Sequence, residues 1–369
     1  MVKVREVMAL MEEMAPLHLA REGDNVGLML GSPEGEVRRI LVCLDVTPEV
    51  VEEAIARRAD LIVSHHPFFY RPLTRIDFHE TQGDMIRRLI LANISVYSAH
   101  TNLDSASQGV NHFLALRLGL KDLKVLVPVK QEKYLKLVTF VPEGHEGEIL
   151  EALARAGAGH IGSYSHCTFR VLGKGTFLPL EGTSPFIGTP GSLTEVNEYR
   201  LETILPVSRL AAVLKALQEA HPYEEVAYDL YPLENQGLVW GMGRLGFLEH
   251  PLTLKDLALQ VKERLGVTQV RVIGEGKGIV RKVAVCGGSG AAYMANAKAA
   301  GADVLITGDV KYHEARQALH LGLALIDAGH FATERVVVPA LAEYLGERLH
   351  QKGVMVLVSQ QEVEPWSVV

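Results

Sequence analysis

Two adjacent histidines, His65-His66, close the apolar run Asp60-Leu61-Ile62-Val63-Ser64 and are followed by Pro67. Far downstream, His330-Phe331-Ala332-Thr333-Glu334 comes after a second apolar run, Leu323-Ala324-Leu325-Ile326. Between them, His100-Thr101-Asn102-Leu103-Asp104 directly follows a third, residues 94–99. Such runs predict buried strands, so these polar groups are expected where strands emerge at the edge of a sheet. Imidazoles and carboxylates gathered at strand ends are the donors that a divalent cation needs. Neutral imidazole nitrogen suits zinc, iron or manganese, and a carboxylate can bridge two ions. The pattern predicts metal binding, and with it metal chemistry.

Each residue also has a plainer reading. Within a strand, His65 and His66 would point to opposite faces. In the turn after the strand, with Pro67 holding its neighbour extended, both reach one site. The plainer reading is a solvated loop with two polar side chains. His330 and Glu334 stand four apart, so a helix starting here puts them on one face. Glu334 then lies in the first turn, where the helix dipole favours a carboxylate. The plainer reading is a capping carboxylate beside an exposed histidine. Asp104 precedes the helical stretch 110–118 and reads either as its cap or, by equivalence to Glu334, as a ligand. The candidate ligands are therefore His65, His66, Asp104, His330 and Glu334. His100, the counterpart of His330, is expected to support a ligand or contact substrate. Asp309 and His313, in Gly308-Asp309-Val310-Lys311-Tyr312-His313, are candidates for supporting ligands or moving protons. His100 or His313 is the candidate general acid/base. The loop Gly287-Gly288-Ser289-Gly290 has the glycines of a phosphate loop but lacks the Lys-Ser/Thr of a nucleotide-binding one.

The elements that must position these residues repeat. Val37-Arg38-Arg39-Ile40-Leu41-Val42-Cys43 parallels Val280-Arg281-Lys282-Val283-Ala284-Val285-Cys286. Each predicts a strand, and each is followed by a helical stretch, residues 48–58 and 291–300. A second strand follows in each, ending at Ser64 or Thr307, 21 positions after the cysteine. This is the signature of a duplicated βαβ unit, with parallel sheets covered on both faces. The alignment sets His65-His66 against Gly308-Asp309, and His100-x-x-x-Asp104 against His330-x-x-x-Glu334. The middle of the chain repeats separately. Strands are expected at 135–142 and 200–207, helices at 146–156 and 208–220, a hairpin at 165–178 around Gly173-Lys174-Gly175, and a last strand at 226–231. That order suits a ferredoxin-like α+β unit. The expected organisation is an α/β domain of duplicated βαβ halves, residues 1–129 and 235–369, interrupted by an inserted domain at 130–234. The two halves must then meet in one sheet or one cleft.

Bulk properties narrow the class. The chain has 369 residues, 48% hydrophobic and 22% charged, which suits a soluble protein of two or three domains. Its formal net charge of −7 counts against a general nucleic-acid or anionic-membrane binder. Three cysteines are too few for a disulfide framework, and Cys43 and Cys286 lie in buried-strand patterns as small core residues. The amphipathic, charged N-terminus is not a signal peptide, and no apolar run reaches membrane-spanning length. A cytoplasmic location is expected.

Five motifs in order resemble the Nif-three-like dinuclear metal family, whose members are often labelled GTP cyclohydrolase I type 2 homologues. They are Gly23-Asp24-Asn25-Val26-Gly27-Leu28, Ser64-His65-His66-Pro67, His100-Thr101-Asn102-Leu103-Asp104, Thr307-Gly308-Asp309-Val310-Lys311-Tyr312-His313 and Asp327-Ala328-Gly329-His330 with Glu334. The insert, with Gly157-Ala158-Gly159-His160-Ile161-Gly162 and His221-Pro222-Tyr223-Glu224-Glu225, resembles the PII/CutA-like insert of the longer bacterial members. The resemblance implies that His65, His66, Asp104, His330 and Glu334 hold two divalent metal ions per chain. It also implies a toroidal homohexamer whose sites face an internal cavity and take a small molecule. The chemistry expected of two ions is hydrolysis of a phosphoester, an amide or a cyclic amidine such as GTP. The rival is a non-enzymatic metal-binding scaffold, chaperone or regulator acting through the insert.

Overall fold

Why the apolar runs become strands is visible in their partners. In the computed structural model, which describes residues 1–274 and 278–367, Arg39–Cys43, Leu61–Ser64 and Ser95–Ser98 lie side by side in parallel. Met355–Val358 extends this sheet in parallel on one side, and Gly27–Leu30 closes it antiparallel on the other. Both faces are covered, so alternate residues enter different cores. Ile40, Val42, Leu61, Val63 and Tyr97 pack with the helices Val4–Met14 and Val337–Leu349. Leu41, Cys43, Ile62 and Val96 pack with Pro48–Ala56 and Thr81–Leu91. The helix Pro48–Ala56 starts where Thr47 accepts a hydrogen bond from Val50 N at 3.3 Å, with proline in the first turn.

A second sheet has six strands, in the order Arg271–Ile273, Ala324–Asp327, Val304–Thr307, Ile279–Val285, Val239–Thr253, Lys121–Gln131. Its central three strands are parallel. One local device recurs in both sheets. Asp60 Oδ2 accepts from Arg38 N at 2.7 Å and Arg39 N at 2.8 Å; Asp303 Oδ2 accepts from Arg281 N and Lys282 N, each at 2.8 Å. In each case an aspartate just before one strand holds two successive backbone amides of its neighbour. The two sheets share no strand, so residues from the two meet outside either sheet.

The chain divides into two units, Met1–Lys130 with Val239–Val369, and Gln131–Leu238. In the second, Tyr134–Pro142, Thr168–Phe177, Thr194–Pro206 and Tyr228–Leu233 form an antiparallel sheet with the helices Glu146–Arg155 and Leu210–Ala220. Leu137, Val141, Ile149, Leu153, Leu201, Leu205, Val213 and Leu217 form its core. The hairpin expected around Gly173-Lys174-Gly175 does not form. Those residues run straight within one strand, opposite Glu198, Asn197 and Val196. A glycine in a strand signals close approach as readily as a turn, and a Cβ on Gly175 would lie 1.9 Å from Glu198 Oε2. Among the described residues no helix is long and apolar enough to cross a membrane.

Candidate metal centre

The chain leaves the strand Leu61–Ser64 still tied to its neighbour: His65 N donates to Cys43 O at 3.2 Å and His66 N to Leu44 O at 2.9 Å. Both side chains then enter one site, with ring centroids 5.0 Å apart. His65 is fully buried, and its Nδ1 donates to Ala99 O at 2.9 Å. That fixes the tautomer and leaves the Nε2 lone pair inward, without a partner. His66 Nδ1 meets Asp45 Oδ1 at 2.7 Å, and its Nε2 meets Glu334 Oε2 at 3.0 Å.

His100 and Asp104 come from the end of Ser95–Ser98 and the one-turn helix Thr101–Ser105. Asp104 therefore does not open the helix Val110–Arg117, whose N-cap is Gly109. Asp104 is buried, its Oδ1 is unpartnered, and it lies 3.7 Å from His65 Nε2. His100 Nδ1 meets Asp24 Oδ1 at 2.8 Å, and Asp24 is itself held by Thr101 N at 3.0 Å and by the Thr101 hydroxyl.

From the second sheet, the one-turn helix His330–Glu334 follows Ala324–Asp327. His330 Nδ1 meets Asp309 Oδ2 at 2.7 Å, and its Nε2 meets Glu334 Oε2 at 2.9 Å. Buried Asp327 orders this edge, accepting from Gly329 N and Val310 N, each at 3.1 Å, and from Arg271. Gly288 has a left-handed φ of 59°, and a Cβ there would lie 2.0 Å from Glu334 Oε1. The glycine loop is thus a floor for Glu334. Its three glycine amides are occupied within the fold: Gly287 N by Asn111, Gly288 N by Thr333, Gly290 N by Thr307. They are not turned outward to cradle a phosphate.

All four histidines spend Nδ1 on an oxygen and keep Nε2 for the interior. Outer partners of that kind orient imidazoles for a metal. Three sets of ligand atoms each fall within 4.8 Å of one another: His65, His66 and His100; His66, His330 and Glu334; His65, Asp104 and Glu334. Asp309 touches the cluster only through its contact with His330. His313 stands apart, exposed in the first turn of Tyr312–Leu321 against Tyr312 and in none of the three sets. Asp45 was missed in the sequence, although a carboxylate two residues after a strand cysteine is placed much as the candidate ligands are.

The charges are arranged to be displaced. Burial lowers the His65 pKa to about 3, and burial followed by the charge of Glu334 raises Asp104 well above the carboxylate range. Burial works downward on His66 as well. There the hydrogen bonds to Asp45 and Glu334 outweigh it and raise the pKa to about 10. The Glu334 hydrogen bond raises His330 to about 9. Burial opposes ionisation of Glu334, but its bonds from His330 and His66 hold it far below the usual range. Protons on His66 and His330 thus occupy the place where a cation would bind Glu334. Unpartnered His65 Nε2 and Asp104 Oδ1 are buried atoms whose cost needs an explanation. A mixed nitrogen and oxygen donor set fits zinc, iron or manganese.

A mixed α/β protein with a buried His/Glu cluster between two sheets is the class defined so far. The chain matches the model of Duf34/NIF3 (NGG1p interacting factor 3) over residues 2–365, and it belongs to that family. It is 45% identical over 365 residues to a protein of Halalkalibacterium halodurans named GTP cyclohydrolase 1 type 2 homolog, covering 98% of each chain. A Bacillus subtilis protein of the same name is 43% identical over 368 residues, covering 99% of this chain and 98% of that one. Among solved structures, a Bacillus cereus protein related to NIF3 superposes with a TM-score of 0.92 at 45% identity, covering 100% of this chain and 99% of that one. A Staphylococcus aureus protein superposes at 0.80 with 29% identity, covering 100% and 99%.

Proposed function

We propose that the cluster is a dinuclear metal centre and that the protein is a metal-dependent hydrolase acting on a small molecule. The carrying observation is the pair of buried, unpartnered atoms, His65 Nε2 and Asp104 Oδ1, among imidazoles all turned the same way. His65, Asp104 and Glu334 would hold one divalent ion, and His66, His330 and Glu334 the other, with Glu334 common to both. Such a pair supplies Lewis acidity that activates water and neutralises charge developing on a substrate. The chain's own part is to fix the donors. Asp45, Asp309, Asp24 and Ala99 O set the four rings, and the glycine loop supports Glu334. His100, tied to Asp24 and beside His65 and His66, is placed to hold or pass a proton. The names of the relatives make GTP one candidate among phosphoesters, amides and cyclic amidines.

The two sheets, each with the same aspartate device, support reading them as duplicated βαβ halves. The β-α-β-β-α-β order of Gln131–Leu238 supports a ferredoxin-like, PII/CutA-like insert. The insert is also what favours the second reading, a metal-binding regulator that works through that unit without turnover. A closed hexameric ring remains part of the proposal on the resemblance alone. Light scattering should then give about six times the 40.4 kDa chain mass; a monomer mass at micromolar concentration would remove the ring.

Elemental analysis of protein purified without added metal comes first, followed by a screen of the loaded chain against GTP, phosphodiesters and cyclic amides. Two ions per chain with turnover of one class are expected, and Glu334→Gln should lose both. A wild-type chain that cannot be loaded overturns the centre. Full loading with no turnover favours the regulator.

A further inference from the structure

Arg21 and Tyr293 approach the cluster from opposite halves of the Met1–Lys130 and Val239–Val369 unit and meet there. Arg21 Nη2 donates to the Tyr293 hydroxyl, and the guanidinium carbon lies 5.9 Å from the ring centroid. Each is anchored to the site by its own backbone. Arg21 N donates to Thr101 Oγ1 at 2.9 Å, and that hydroxyl is bonded to Asp24, the partner of His100. Tyr293 ends the short turn Ala291–Tyr293 that follows the glycine loop beneath Glu334. The Arg21 charge is felt at Asp104, lowering its carboxyl against the larger upward effect of burial.

Two features of the pair are unused by the fold. Arg21 is exposed and makes no ion pair with a carboxylate among the described residues. Tyr293 accepts from Arg21, so its own hydroxyl hydrogen is free to donate. A guanidinium presents five N–H donors in one plane, of which the phenol takes one. A flat carboxylate would be satisfied by that fork alone. The phenol adds a donor from another residue and another element, which suits a tetrahedral oxyanion with acceptors in several directions.

We propose that Arg21 and Tyr293 form an oxyanion subsite beside the metal centre, and that the substrate is a small phosphorylated molecule whose phosphate is gripped there. The proposal rests on the hydrolase reading and narrows its substrate class. It also accounts for an exposed guanidinium beside the cluster that pairs with no carboxylate among the described residues.

The test uses the full chain, loaded with metal, titrated with inorganic phosphate, with sulfate and acetate in parallel. Metal content is measured on every sample. Arg21→Ala should weaken phosphate binding by about tenfold or more at unchanged metal content, as loss of a charge-assisted contact does. Tyr293→Phe should weaken it less. Arg21→Lys keeps the charge but not the fork and should fall between the two, which keeps the test open if the alanine variant folds poorly. Sulfate should follow phosphate, and acetate should respond little to Tyr293→Phe. Equal phosphate affinity in wild type, Arg21→Ala and Arg21→Lys overturns the subsite while leaving the metal centre intact. A wild-type chain that fails to load overturns the hydrolase reading instead, and repeating the titration on that unloaded chain still reads the Arg21 dependence.

Discussion

His66 Nε2 lies 3.0 Å from Glu334 Oε2, although the two residues are 268 positions apart. The same carboxylate oxygen is 2.9 Å from His330 Nε2 and 3.8 Å from His65 Nε2. One oxygen thus gathers three imidazoles from two sheets, and Glu334 is the residue on which the two sheets converge.

The outer carboxylates give the first prediction. Asp45 and Asp309 each hold the Nδ1 of a histidine at 2.7 Å. Replacing either by alanine frees the ring to turn and should lower metal affinity by about 10- to 100-fold, with the fold retained. Competition against a calibrated chelator measures it. Wild-type affinity in both variants would mean that these partners do not orient the rings.

Metal uptake should depend on pH in a definite direction. His66 and His330 have pKa values raised to about 10 and about 9, so below those values both carry protons that a cation must displace. Binding near neutral pH should therefore release at least these two protons, with Asp104 able to add another, and affinity should climb with pH before flattening near 10. Calorimetric titration with manganese in buffers of different ionisation enthalpy counts the protons. An affinity that stays constant from neutral pH to about 9 contradicts the assignment.

Gly288→Ala tests the floor of the site. The left-handed φ of 59° costs an alanine about 1–2 kcal/mol, and its Cβ would stand 2.0 Å from Glu334 Oε1. Melting should fall by a few degrees, and metal affinity should fall with it as the carboxylate is displaced. Unchanged values of both would show that the loop yields freely.

Removal of residues 131–238, with a short linker in their place, should leave a folded remainder that still binds metal. The unit has its own core, and its ends are adjacent, Glu132 N donating to Leu238 O at 2.8 Å. Circular dichroism and metal analysis of the shortened chain decide it; general unfolding would place the unit inside the main core.

What the sequence made legible was local. Apolar runs of four or five residues became strands because nothing within them competes with burial, and the donors at their ends are contiguous motifs. His330 and Glu334 fall on one helical turn as their spacing requires. The partners were harder to read. Asp24 and Asp45 reach His100 and His66 across 76 and 21 positions, and no local spacing encodes such a match. Gly173 and Gly175 suggested a turn because glycine permits one, whereas the structure uses Gly175 for clearance beside Glu198. His313 shares a motif with Asp309, but the left-handed φ of 56° at Asp309 redirects the chain, and the helix beginning at Tyr312 holds His313 at the surface.

The distance in sequence between His66 and Glu334 also fixes a schedule for synthesis. A ribosome adding about 5–20 residues per second needs roughly 13 to 54 seconds to travel from one to the other. During that interval the strands Arg39–Cys43, Leu61–Ser64 and Ser95–Ser98 and the donors His65, His66 and Asp104 have been made, but the oxygen that joins the imidazoles has not, nor have the helix Val337–Leu349 and the edge strand Met355–Val358 that complete the first sheet and its core. Neither three-donor set that includes Glu334 can close until Glu334 itself has been added. A nascent chain stalled or truncated before Glu334 would keep only the set of His65, His66 and His100, so closure of the other two sets marks a chain whose synthesis has passed both parts of the cluster.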